Sequence, residues 1–317
     1  MRMRTLRGCA LAALLVLAAP RLGAQTPRSG NWADRAASDY ETMANVPYRT
    51  ASNKELNVDL YLPPRTAPVP TVIVIHGGGW VEGNKEDALV GALPYLALGY
   101  AVVNVQYRLA RTALAPAAVE DCRCALSWVI AHADEYKLDP KRLVVTGTSA
   151  GGHLALTTGM LPVGSEFDRG CSSPGEYRWT GGKDPSEPKV AAIINWYGIT
   201  DVAAMLGGPD ARGYAIEWFG SMTDRMDLAR RVSPLQMVRP GLPPILTIHG
   251  DADKLVPYSD ATRLHAALTK AGSPNELVTI PGGGHGDWPA EQTDRSWNAV
   301  RAFLAKHELM PSNASAL

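Results

Sequence analysis

The chain has 317 residues, of which 46% are hydrophobic and 20% charged, enough apolar material for one large globular domain or two small ones. That balance excludes an intrinsically disordered or fibrous chain. The 31 Lys and Arg residues equal the 31 Asp and Glu residues, so nothing suggests the electropositive surface of a nucleic-acid binder.

Residues 1–24 read as a secretory signal peptide. A basic stretch from Met1 to Arg7 precedes an apolar run from Cys9 to Ala19, then Pro20 and the small-residue site Leu22-Gly23-Ala24 before Gln25. The apolar run is too short to span a bilayer comfortably, so no stable membrane insertion is expected and the mature chain is expected to be secreted or periplasmic. Cleavage after Ala24 would remove Arg2, Arg4, Arg7 and Arg21, leaving 27 basic against 31 acidic residues and a net charge of about −4. It would also remove Cys9 and leave Cys122, Cys124 and Cys171, an odd number unlike a disulfide framework. Cys122 and Cys124 lie two apart on a predicted helix and point away from each other; either is a candidate partner for Cys171.

Residues 25–45 read as a peripheral N-terminal arm, 46–310 as a single α/β domain, and 311–317 as a C-terminal tail. Within the domain, strand and helix signals alternate, which predicts a mostly parallel sheet covered by helices on both faces. Leu56–Leu62 alternates apolar and polar residues before Pro63-Pro64 and is predicted as an antiparallel edge strand. Thr71–Ile75, Ala101–Gln106, Leu143–Gly147, Val190–Trp196, Ile245–His249 and Glu276–Ile280 are short and β-branched, the pattern of buried central strands. Ala117–Glu135, Ala150–Met160, Ser259–Ala271 and Ala290–His307 have helical spacing. Two segments break the rhythm, 161–188 and 202–232. Both follow the carboxyl end of a strand, where ligands bind in open α/β sheets, and are read as loops or a small cap.

The strand Leu143–Gly147 runs into Gly147-Thr148-Ser149-Ala150-Gly151-Gly152 and then a helix, the pattern of a nucleophile elbow with Ser149 exposed at the turn. The glycines permit the tight turn and close strand–helix packing that a Cβ would obstruct. After Thr71–Ile75 comes His76-Gly77-Gly78-Gly79-Trp80, a glycine run whose amides can approach an oxygen closely. The amides of Gly78 and Gly79, with that of Ala150 after the nucleophile, are the candidate oxyanion-hole donors. No Lys-Ser/Thr follows the run, as a phosphate-binding P-loop would require, and His76 is read as a structural hydrogen bonder.

In this arrangement an acid and then a base follow the nucleophile in chain order. Gly250-Asp251-Ala252-Asp253-Lys254-Leu255-Val256-Pro257 offers two carboxylates past one strand, with Asp201 a weaker third choice that is read as a helix cap. Of the later histidines, His265 and His307 sit in predicted helices. His285, in Gly282-Gly283-Gly284-His285-Gly286 past the last strand, sits where no helix or core demands a histidine and is the candidate base.

Taken together, these motifs, with Tyr107-Arg108-Leu109 and Asp139-Pro140-Lys141-Arg142, resemble the α/β-hydrolase superfamily. Within it the chain is similar to bacterial esterases related to hormone-sensitive lipase and to the neighbouring feruloyl-esterase-like (BD-FAE) group. The resemblance implies a carboxylic ester hydrolase with no metal or organic cofactor. It also implies that Asp253, the fourth residue of a G-x-x-D-x-x-V-P stretch, is the acid, leaving Asp251 to cap its own turn. His285 would then activate Ser149 to attack an ester carbonyl, with Asp253 fixing the imidazole. Trp80, Trp288 and Trp218 are candidate substrate contacts for a small-molecule or polymer-linked ester, including feruloyl or acetyl groups on plant polysaccharide. The competing classes are an arylformamidase or prolyl-type peptidase, a metallohydrolase built on His249, Asp251, Asp253, His285 and Asp287, and an inactive binding fold.

Overall fold

The structure, a computed structural model, describes residues 39–171 and 189–312. The predicted signal peptide, most of the arm, residues 172–188 of the first insertion with Tyr177 and Trp179, and the tail from 313 lie outside the described residues.

An eight-stranded sheet runs in the order β1-β2-β4-β3-β5-β6-β7-β8. Its strands are β1 (Glu41–Ala51), β2 (Lys54–Leu62), β3 (Val69–Ile75), β4 (Ala101–Val105), β5 (Leu138–Thr148), β6 (Ala192–Trp196), β7 (Ile245–Gly250) and β8 (Asn275–Ile280). The pairs β1–β2 and β2–β4 are antiparallel and the rest parallel. The helices are α1 (Leu89–Ala97), α2 (Ala117–Ala131), α3 (Ala133–Tyr136), α4 (Ala150–Met160), α5 (Gly213–Phe219), α6 (Arg225–Arg231), α7 (Tyr258–Lys270) and α8 (Ala290–Lys306).

Side chains alternate across the central strands and build two cores. Ile73, Ile75, Val103, Val145 and Ile193 face α2, α4 and α7, whereas Val72, Val74, Val102, Val144 and Ile194 face α1 and α8. Strand order reverses between β3 and β5: the chain leaves β3 towards β4 on one side and β5 towards β6 on the other. The crevice at the carboxyl ends of such a pair is where open α/β sheets bind ligands.

Three expectations are corrected here. The edge strand is β1, which begins inside the stretch read as an arm, and Leu56–Leu62 is an interior antiparallel strand. β1 hid because its register shifts between Met43 and Val46 and again at Pro47, which breaks the period-two pattern. Glu276–Ile280 forms the opposite edge and is half-buried for most of its length, not central. α1 went unpredicted because Gly91 and Pro94 interrupt it.

The insertion 202–232 contains α5 and α6 with short 3-10 turns. The disulfide joins Cys124 of α2 to Cys171, and Cys122 is free and buried. No helix among the described residues is long and apolar enough to cross a membrane.

Candidate active site

β5 delivers Ser149 at the switch point. Its backbone, at φ 55 and ψ −120, lies in a region that non-glycine residues occupy only when the surroundings enforce it. Here the Ser149 amide donates to the Trp196 carbonyl at 2.9 Å, and the His153 amide donates to the Ser149 carbonyl at 3.0 Å. α4 then packs hard against β3: a Cβ on Gly151 would lie 2.2 Å from the Ile75 carbonyl oxygen. Ala150 opens α4, so its amide is among those with no acceptor inside the helix.

Ser149, His285 and Asp253 form one hydrogen-bonded chain. His285 Nε2 lies 2.9 Å from Ser149 Oγ and His285 Nδ1 lies 2.7 Å from Asp253 Oδ2. Nδ1 faces a carboxylate and so carries the proton, which leaves Nε2 to accept from the serine hydroxyl. The Asp253 side chain is fully enclosed, and its Oδ1 accepts the amides of Leu255 at 2.8 Å and Val256 at 3.0 Å. Burial pushes this carboxyl up, but hydrogen bonds from His249, His285 and the Val256 amide outweigh it and hold Asp253 well below the usual carboxylate range.

The remaining carboxylates and histidines fall elsewhere. Asp251 does not cap its own turn; it accepts the Gly282 amide at 2.7 Å and ties the loop to that of His285, while Asp253 does the capping. Asp201 accepts the Ala204 amide at 3.2 Å as a cap and pairs with Arg263. His265 bonds Asn275 from within α7, and His307 ends α8. Of the five residues of the metal alternative, His249, Asp253 and His285 do meet, but with both imidazoles turned to the Asp253 carboxylate, and among the described residues no group of three or more His, Cys, Asp or Glu could hold a metal ion.

The glycine loop after β3 lies beside Ser149. Gly78 has φ +105, and a Cβ there would meet the Glu82 carbonyl at 2.1 Å, so only glycine fits. Gly78 and Gly79 line a cleft of about 490 Å³ with Ser149, His285, Tyr197 and Tyr214. Beneath the loop, His76 stacks on Tyr107 at 4.1 Å and its Nδ1 donates to the Gly77 carbonyl at 2.7 Å. Burial lowers the His76 pKa to about 4, so it is a neutral support.

Two of the three tryptophans predicted as substrate contacts are core residues. Trp80 and Trp218 are both fully buried and stack at 4.2 Å; Trp80 Nε1 also donates to His153 Nδ1 at 3.2 Å. They hold the glycine loop against α4 and α5, which explains large aromatics there without a ligand. Trp288 is part-exposed and lines an adjoining groove of about 380 Å³ with Trp196, Tyr197 and Trp297. The cleft-lining residues Tyr197, Tyr214 and Leu255 escaped the sequence reading. Tyr197 carried one signal, its place just past the carboxyl end of β6; Tyr214 and Leu255 carried none.

The BD-FAE family model matches residues 58–268, a span that holds the glycine loop, the elbow and the Asp253 loop. The chain belongs to the BD-FAE family. Among relatives of this BD-FAE member, esterase LipC of Mycobacterium tuberculosis is 29% identical over 70% of this chain and 54% of its own length. Esterase LipQ of the same organism is 26% identical over 73% of this chain and 53% of its own. The chain thus spans about half the length of these mycobacterial relatives. Esterase 2 of Thermogutta terrifontis superposes with a TM-score of 0.68 at 25% identity, over 86% of this chain and 96% of that one. A truncated carbohydrate esterase from gut microbiota gives a TM-score of 0.68 at 28% identity, over 85% and 96%. The eight-stranded, mostly parallel sheet with helices on both faces is the α/β-hydrolase fold of these structures.

Proposed function

We propose that the protein is a serine carboxylic-ester hydrolase. The observation that carries this reading is the unbroken hydrogen-bonded chain from Ser149 Oγ through His285 to Asp253 on the wall of an open cleft. His285 Nε2 takes the Ser149 proton as Oγ attacks the ester carbonyl. The tetrahedral oxyanion is received by the amides of Gly78, Gly79 and Ala150, each such donor being worth roughly 10² to 10³ in rate. His285 returns the proton to the departing alcohol, leaving an acyl-Ser149, and then activates the water that hydrolyses it. Asp253 stays ionised and stabilises the imidazolium without taking its proton.

The relatives and neighbours named esterases support this reaction class. A second, narrower reading is that the ester is polymer-linked, a feruloyl or acetyl group on polysaccharide. It is favoured by the carbohydrate esterase among the structural neighbours and by the aromatic groove at Trp288 beside the base. Export through the segment 1–24 fits such a substrate and is part of the proposal.

The test is hydrolysis of p-nitrophenyl acetate and butyrate by the wild type, Ser149→Ala and His285→Ala, with folding followed by circular dichroism. Both variants are expected to be folded and inactive; undiminished turnover by Ser149→Ala would overturn the reading. Comparing these rates with those on feruloylated and acetylated xylan separates the general reading from the polymer-linked one.

A further inference from the structure

The acid of the proposed triad has a second imidazole on it. His249 sits at the end of β7, is completely buried, and places Nε2 3.2 Å from Asp253 Oδ2 and 3.1 Å from the Val256 carbonyl oxygen. Both neighbours are acceptors only, so Nε2 carries the proton and is shared between them. Asp253 Oδ2 therefore receives N–H groups from two histidines on opposite sides, His285 at 2.7 Å and His249 at 3.2 Å.

The other nitrogen makes this costly. His249 Nδ1 is buried with no hydrogen-bond partner among the described residues. An orphaned buried polar atom costs about 1–3 kcal/mol, and an apolar residue at this position in β7 would remove that orphan while leaving the Val256 carbonyl without its donor. A polar side chain kept in the core with one end unsatisfied points to a use for its satisfied end. That end touches the one carboxylate oxygen on which the orientation of His285 depends.

We infer that His249 is a positioning residue for the hydrolysis, acting through Asp253; the inference rests on the proposed triad. Its Nε2–H fixes the rotation of the Asp253 carboxylate and draws off part of the charge on Oδ2. The carboxylate is held from both sides: Oδ1 by the Leu255 and Val256 amides, Oδ2 by the two imidazoles. Without His249, Oδ2 answers to His285 alone, becomes a stronger acceptor, and favours the imidazolium form of the base. The other ionisable groups facing the pair are Tyr197 from the end of β6, Tyr214 from α5 and Tyr258 from α7, with Asp287 of the His285 loop acting on Tyr197. Burial lifts Tyr197 and Tyr214 to about 12, and all four groups are common to the enzymes compared below.

The experiment compares wild type, His249→Leu and His249→Gln for thermal stability, kcat, KM and the pH dependence of kcat/KM on p-nitrophenyl acetate. Each is also labelled with a fluorophosphonate that reacts with an activated serine. His249→Leu is expected to stay folded at the assay temperature, because the orphaned Nδ1 it removes offsets the Val256 carbonyl it leaves without a donor, while kcat falls about tenfold with KM unchanged, the scale of one hydrogen bond to a charged group. Its acid limb is expected to move to higher pH by about half a unit. His249→Gln, whose side-chain amide reaches Asp253 with an N–H, is expected to recover most of kcat and the wild-type limb. Wild-type kcat and limb in His249→Leu would overturn the inference. So would a loss of rate that follows the unfolded fraction with an unmoved limb, or a loss in His249→Gln equal to that in His249→Leu. Failure of the triad reading is seen separately, as a wild type that takes no label at Ser149.

Discussion

Trp218→Ala separates a core role from a substrate contact. Trp218 is fully buried, stacks on Trp80 at 4.2 Å and meets His153 edge-on at 5.6 Å. Trp80 in turn follows Gly79 at a positive φ of 63 and donates its indole N–H to His153. Removing the Trp218 ring takes away one wall of the cavity that holds Trp80 in that conformation. Truncating a buried tryptophan costs about 3–5 kcal/mol. At about 2–4 °C per kcal/mol for a domain of this size, the melting temperature should fall by about 6–20 °C. Because Gly79 adjoins Trp80, the amides proposed to receive the oxyanion lose their fixed aim, and kcat should fall by up to the roughly 10² to 10³ assigned to one donor. Thermal melts and steady-state rates on p-nitrophenyl esters of two, four and eight carbons read both effects. The core assignment predicts a similar kcat loss for every chain length. An unchanged melting temperature with a KM change confined to particular chain lengths would refute it and return Trp218 to the substrate.

Other consequences are equally specific. Asp253→Asn should lower kcat by about 10⁴ through loss of the correct imidazole tautomer, whereas Asp251→Asn, which touches only the Gly282 amide, should change it little; the reverse order would move the acid to Asp251. Replacing Cys124 and Cys171 with serine opens a link between residues 47 apart and should cost about 2–4 kcal/mol, read by denaturant titration, with kcat at low temperature retained. His76 and His153 are buried neutral with pKa values lowered to about 4, against 6.5 ordinarily. Their contribution is full above about pH 6.5 and is lost as pH falls towards 4, by about 3 kcal/mol each, so the melting temperature should drop across that window; a flat profile would contradict it.

What was legible in the sequence was whatever depends on local chemistry. The elbow around Ser149, the glycine run at Gly78 and Gly79 and the His285 loop all need particular residues at fixed spacing, and the central strands beneath them are unbroken β-branched runs. β1 was hidden because a bulged edge strand with Pro47 has no clean alternation. The roles of Trp80 and Trp218 were misread because a tryptophan beside a catalytic motif has the same local sequence whether it faces the cleft or the core; their stacking joins residues far apart in the chain. The partner of Cys171 and the link from His249 to Asp253 are likewise decided by where the chain returns in space.

The proposed mechanism requires that Ser149 be acylated in turnover. Mass spectrometry of the protein after reaction with an organophosphate ester, with peptide mapping, tests it most directly. One adduct per chain on Ser149, forming in step with loss of esterase activity and absent from Ser149→Ala, is the predicted result. An adduct on another residue with activity lost, or full activity in a chain fully modified at Ser149, would contradict it.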